Sequence, residues 1–203
     1  MKHAHLILGM VYLSFMAPLQ SSDGELEKFN NYINQSISDA NIAGMAVAIV
    51  SGDSIIFTQG YGYSDIQTKE PFTPNTVINI ASISKTFVGV ALMNLVENGL
   101  ISLDEDVNTF LPFKVQNPYL PESIITPRHL MSHSSGIQDN QKVYLPSYHY
   151  GGDSPIPLGE FLADYLSPDG THYSKKNFTK SKPGGKFVYS NIGAGLAGYI
   201  VER

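Results

Sequence analysis

Apolar residues Leu26, Phe29, Ile33 and Ile37 recur at spacings of three and four along 25–38, separated by charged and amide side chains. That is one face of an amphipathic helix, and it predicts a helix that packs on a sheet. Two short apolar runs follow, 45–50 and 54–59, joined by Ser51-Gly52-Asp53. Gly and Asp at the junction suit a tight reversal, so the pattern predicts a β-hairpin.

Pro71 and Pro74 interrupt the pattern, and 76–80 leads into Ala81-Ser82, where the serine stands to begin a helix. Over 87–96 apolar residues fall on nearly every side of that helix, which predicts a buried central one ending at the stop signal Asn98-Gly99. Short capped helices are expected at 103–107 and 126–131, with a further helical island at 158–166. The rest of 140–185 is rich in Pro, Gly, Tyr and Ser and reads as loops over a mainly helical lobe. A last helix, rich in small residues, is expected at 191–202 with no stop signal after it. The chain shows no internal repeat and no low-complexity tract.

Composition narrows the picture. The chain has 203 residues, 42% of them apolar and 15% charged, which describes one sizeable globular domain over 23–203. A formal charge of -5 argues against nucleic-acid binding, because affinity for that polyanion comes mainly from Lys and Arg contacts to phosphate. A small or neutral substrate fits better. There is no cysteine, so disulfides, thiol catalysis and Cys-type zinc sites are excluded, and the pattern calls for no metal or cofactor. Residues 1–22 read as a secretory signal: Lys2 with His3 and His5, then an apolar stretch over 6–19, then polar Gln20-Ser21-Ser22. The expectation is export, to the periplasm or outside the cell, with membrane attachment only if that segment stays uncleaved. Two sequons, at Asn34 and Asn177, matter only in a glycosylating host.

The chemistry begins at Ser82-Ile83-Ser84-Lys85. Residues three apart on a helix share a face, so the Ser82 hydroxyl and the Lys85 amine can reach each other. A desolvated amine loses its proton more easily and can activate the hydroxyl, while a helix N-terminus favours negative charge on an attacked carbonyl. The plain alternative is a serine N-cap with a surface lysine. Two Tyr-x-Asn patterns occur, at Tyr32-Ile33-Asn34 and Tyr189-Ser190-Asn191. The first lies within the amphipathic helix and reads as coincidence. The second follows a turn and an extended segment, so it can project a phenol and an amide from a loop. A phenol with a pKa near 10 becomes a useful base near pH 7 only if cations lower it, and Lys85 is the candidate cation.

Three stretches together resemble the class C β-lactamase-like serine hydrolases: 81–87 around Ser82 and Lys85, 130–137 containing His133-Ser134-Ser135-Gly136, and 183–191 ending in Tyr189-Ser190-Asn191. That superfamily includes β-lactamases, D-Ala-D-Ala peptidases, D-aminopeptidases and esterases. The resemblance implies an α/β fold of the α+β kind, with an antiparallel sheet flanked by helices and a mainly helical lobe. It implies a Ser82 nucleophile that forms an acyl-enzyme on a β-lactam, a D-Ala peptide or a small ester. Lys85 would assist its activation, Tyr189 would be the general base, and Asn191 would hold the substrate amide or order the site. It also implies a structural His133, shaping a turn, and gives no role to His149-Tyr150-Gly151. Relatives carry a further strand with a Lys-Thr-Gly or His-x-Gly motif well after the Tyr-x-Asn, and here only residues 192–203 follow Asn191. The expectation is therefore an N-terminal portion of a longer hydrolase, lacking C-terminal strands and impaired as it stands. The competing expectation is a non-catalytic relative that binds peptidoglycan or acts as a scaffold.

Overall fold

A computed structural model describes residues 23–203. The leader reading of 1–22 lies outside the described residues. Helices are α1 Asp23–Asp39, α2 Ser84–Glu97, α3 Pro127–Met131, α4 Gln141–Tyr144, α5 Leu158–Leu166 and α6 Asn191–Glu202, and strands are β1 Gly44–Ser51, β2 Ser54–Asp65 and β3 Glu70–Pro71. No described helix is long and apolar enough to cross a membrane. The residues separate into two compact units, one ending at Ile78 and the other running Asn79–Arg203.

The first unit holds α1 and an antiparallel sheet of order β1-β2-β3. The apolar face expected of α1 meets β2, where Phe29 stands edge-on to Phe57 at 5.5 Å and Tyr61 donates a hydrogen bond to Asn30 at 2.5 Å. The hairpin forms about Gly52-Asp53 as the pattern predicts, with Ser51 opposite Ser54. Strand β2, however, continues to Asp65, six residues past the expected end at Gln59. Gly60-Tyr61-Gly62 resembles a break in sequence, but the glycines are there because other backbone comes close. A Cβ on Gly60 would lie 2.0 Å from the Phe72 carbonyl oxygen, and one on Gly62 would lie 2.3 Å from that of Ala43.

The second unit is the helical lobe, and α6 is its centre, packed against α2, α3 and α5. Ile192, Leu196, Ala197 and Ile200 of α6 are buried with Leu92 of α2, Leu130 of α3 and Leu162 and Leu166 of α5. The island at 158–166 and the last helix at 191–202 appear with the expected bounds. Thr126 caps α3 as expected, its hydroxyl accepting from the His129 N–H while the His129 ring accepts from the Thr126 N–H. The segment 103–107 instead forms turns leading into a 3-10 turn at Val107–Thr109, capped by Asp106.

The expectation for α2 fails as well. The helix α2 is not a buried central element: Leu92 alone is buried, and Phe87 and Val90 are 66% and 70% exposed. Apolarity on all sides of a helix states what could be covered, and among the described residues of this unit α6 packs on one side of it. The second sequon also acquires a different meaning. Asn177 is fully buried, and its amide donates to the carbonyls of Tyr165 and His172, so it is a core hydrogen-bonding group.

Leu196→Ala should cost about 2–5 kcal/mol, read as the loss in urea unfolding free energy, because it opens a cavity where α6 meets the core. Val90→Ala, on the exposed side of α2, should change stability by no more than about 0.5 kcal/mol.

Candidate active site

Ser82 does not begin an α-helix. It sits in a 3-10 turn, Ala81–Ile83, immediately before α2, and makes no capping hydrogen bond there. The plain reading of Ser82 as an N-cap is therefore excluded, and its Oγ is available for other partners. The preceding Ala81 has φ of +47°, a left-handed conformation that costs a non-glycine residue about 1–2 kcal/mol. Asn79 holds that strained position by accepting from the Ala81 N–H at 2.7 Å.

Two side chains converge on the Ser82 hydroxyl. Lys85 Nζ, one turn along α2, donates to Ser82 Oγ at 3.1 Å, and Tyr189 Oη, 107 residues later in the chain, donates to the same oxygen at 2.7 Å. The Lys85 ammonium also lies 5.2 Å from the Tyr189 ring centroid. Lys85 is half-buried. Its contact with the phenol, followed by the Ser82 hydrogen bond, holds the Tyr189 pKa below the usual tyrosine value despite some opposing desolvation. The phenolate is thereby favoured, and in that form the hydrogen bond reverses, with Ser82 donating to Tyr189.

The His133 stretch supports this trio from beneath. The His133 ring lies against that of Tyr189 at 4.4 Å, and Phe187 stands edge-on to it at 5.7 Å. His133 has φ of +51°, its carbonyl accepts from the Val188 N–H at 2.7 Å, and its Nδ1 accepts from the Ser190 N–H at 3.3 Å. The imidazole thus works as an acceptor and a packing surface under the tyrosine. Burial, then the nearby Lys85 charge, lower the His133 pKa, with Asp139 opposing, so the ring is neutral at pH 7. His129 is lowered as well, chiefly by burial.

Asn191 opens α6, half-buried, and helps line a cavity of about 970 Å³ with Tyr144, His149, Pro157 and Phe161, a lining that does not include Ser82, Lys85 or Tyr189. His149 thus belongs to the cavity wall and not to the trio. The structure brings Ser82, Lys85 and Tyr189 into direct contact, with Asn191 two residues from Tyr189. Tyr32 lies on the exposed side of α1, as expected for a coincidental pattern. No cluster able to hold a metal ion exists among the described residues. Sequence reasoning passed over Asp139, which accepts hydrogen bonds from Ser190, Asn191 and Ile192. A lone aspartate two residues past Ile137 offers no signal until α6 is brought to it.

Fold and site together fit the serine hydrolase superfamily that the three motifs resemble. The chain belongs to the Beta-lactamase family, whose model matches residues 29–203. Protein flp of Staphylococcus aureus (strain MRSA252) is 28% identical over 180 residues, covering 87% of this chain and 33% of that protein. Among solved structures, the octameric penicillin-binding protein homologue from Pyrococcus abyssi is 29% identical with a TM-score of 0.66, covering 88% of this chain and 39% of that one. EstCE1, a hydrolase with promiscuous acyltransferase activity, is 25% identical with a TM-score of 0.66, covering 89% and 48%. The chain therefore spans about a third of the length of the curated relative, and less than half of either solved structure.

Two titrations follow from this geometry. In a difference titration against Tyr189→Phe, Tyr189 should ionise at lower pH than ordinary tyrosine, and Lys85→Met should move it up toward about 10. His129 and His133 are shifted downward as well. Their folded pKa values lie below the unfolded value of about 6.5, so the unfolded state binds more protons in that window. Their stabilising contribution is full above about pH 6.5 and is lost as pH falls. Melting temperatures between pH 7.5 and 5 should show that loss, and it should be smaller in His133→Gln.

Proposed function

We propose that this chain carries the acylating residues of an exported serine hydrolase that acts on an amide or ester. The observation that carries the reading is the Ser82 hydroxyl held at 2.7 Å by Tyr189 Oη and at 3.1 Å by Lys85 Nζ. In the proposed reaction Tyr189, as phenolate, takes the Ser82 proton while Oγ attacks the substrate carbonyl carbon. Charge collecting on the carbonyl oxygen lies near the N-terminal end of α2, whose dipole favours it. As the tetrahedral intermediate collapses, the Tyr189 phenol gives its proton to the departing amine or alcohol, leaving an ester on Ser82. Water then attacks that ester with Tyr189 again taking the proton, and Ser82 leaves with a proton returned to it.

Lys85 serves this cycle as the charge that keeps the phenol acidic, and Asn191 meets the substrate at the cavity rim. Substrates are proposed at the level of class: a β-lactam, a D-Ala peptide such as a cell-wall fragment, or a small ester. The similarity to a penicillin-binding protein homologue and to a hydrolase with acyltransferase activity supports that range. The leader pattern of 1–22 supports a setting in the periplasm or outside the cell.

Incubation with a fluorescent β-lactam or an activated ester should give a covalent adduct whose mass increment maps to Ser82. Ser82→Ala should reduce labelling to background. Equal labelling of both proteins, or none of either in a longer chain that carries the strand with the Lys-Thr-Gly or His-x-Gly motif, would leave a non-catalytic peptidoglycan-binding or scaffolding module as the reading.

A further inference from the structure

Asp139 is half-buried beyond the His133 stretch, and four donors converge on its carboxylate. Oδ1 accepts from Ser190 Oγ at 2.8 Å and from the Ile192 N–H at 3.1 Å, and Oδ2 accepts from the Asn191 N–H at 2.9 Å and from Asn191 Nδ2 at 2.8 Å. The two backbone donors are the first N–H groups of α6, a helix of 12 residues. Ser190 completes the cluster by accepting from the Gly193 N–H at 2.9 Å.

We propose that Asp139 is the positioning residue that sets the orientation of the Asn191 amide, two residues along the chain from the Tyr189 that holds the reacting serine. A backbone N–H can only donate, so each Asp139 oxygen is committed as an acceptor before the Asn191 side chain is considered. An asparagine amide has a donor end and an acceptor end of nearly equal size, and most environments leave the choice to the wider network. Here the choice is made by one carboxylate: the NH2 end must face Asp139. The Oδ1 atom and the second Nδ2 hydrogen remain for a ligand in the cavity that Asn191 borders. The same carboxylate holds Ser190, the residue between Asn191 and Tyr189. Substrate polarity at the rim is thus determined by a residue that does not itself touch the Ser82 trio.

This inference rests on the acylation site proposed above, and two measurements on the 203-residue chain separate the two. The first reads the contact without any chemistry. In a 15N–1H spectrum the Asn191 side-chain amide, assigned by its loss in Asn191→Ala, should show one proton shifted downfield and slow to exchange. Asp139→Asn keeps the shape but sets a second NH2 group against the first, so the Asn191 amide must turn and both protons should return to ordinary positions. Unchanged protons in Asp139→Asn would overturn the proposal whatever the activity.

The second reads the consequence. Asp139→Asn should slow Ser82 labelling about 10- to 100-fold, the scale of a small misplacement at a reacting centre. In an Asn191→Ala background the same substitution should matter by only about twofold, since the partner through which Asp139 acts is gone. An equal loss in both backgrounds would make Asp139 a support for α6 alone and overturn the proposal. Wild-type protein that shows the shifted proton but is not labelled even in a longer chain carrying that strand would sink the hydrolase reading and leave the clamp standing.

Discussion

The packing of α6 against α2 is the constraint on which the rest of the helical lobe depends. Ser82 and Lys85 stand at the start of α2, and Tyr189 and Asn191 stand at the start of α6. Those two starts meet because Leu92 is buried from one side and Leu196, Ala197 and Ile200 from the other, within one core. Each large aliphatic side chain removed from water contributes about 1.5–3 kcal/mol. A contact across 107 residues of chain is made by apolar surface remote from the contact itself.

With the helices fixed, charge decides how the trio behaves. One cation, Lys85, lies beside the Tyr189 phenol and lowers its pKa, while burial keeps the adjacent His133 ring neutral. A protonated His133 would put a second positive charge against Lys85. The neutral ring instead accepts from the Ser190 N–H and packs under the tyrosine. The only carboxylate in this network, Asp139, is turned to the N–H groups of α6 and to the far end of Asn191. Left-handed backbone at Ala81 and His133 places strain on both sides of the serine, where it is outweighed by the hydrogen bonds and packing around it.

The failures of sequence reasoning share a cause. Strand β2 runs on past the apolar stretch 54–59 through Gly60 and Gly62, where backbone from 43–44 and 72–73 approaches within a few ångströms. Helix α2 was expected to be buried because its composition permits it, although burial depends on what packs there. Asn177 matches a sequon and is a core amide; Asp139 matches nothing and receives four hydrogen bonds. In each case the deciding partner is brought in by the fold and not by the local pattern.

The sequence by itself determined the local elements and the residue types of the site. Spacings of three and four made α1, the reversal at Gly52-Asp53 made the hairpin, Thr126 and Ser190 capped their helices, and Ser82, Lys85, Tyr189 and Asn191 could be picked out by motif. These features depend on side-chain periodicity and on backbone groups within a few residues, which a sequence displays directly. The tertiary structure decided that Ser82 is held in a 3-10 turn with its Oγ shared by Lys85 and Tyr189, that His133 supports the phenol from below, and that Asp139 orients Asn191. The physical reason is that hydrogen bonds and pKa shifts depend on distances of a few ångströms, and here those distances follow from how helices separated by about a hundred residues share one apolar core.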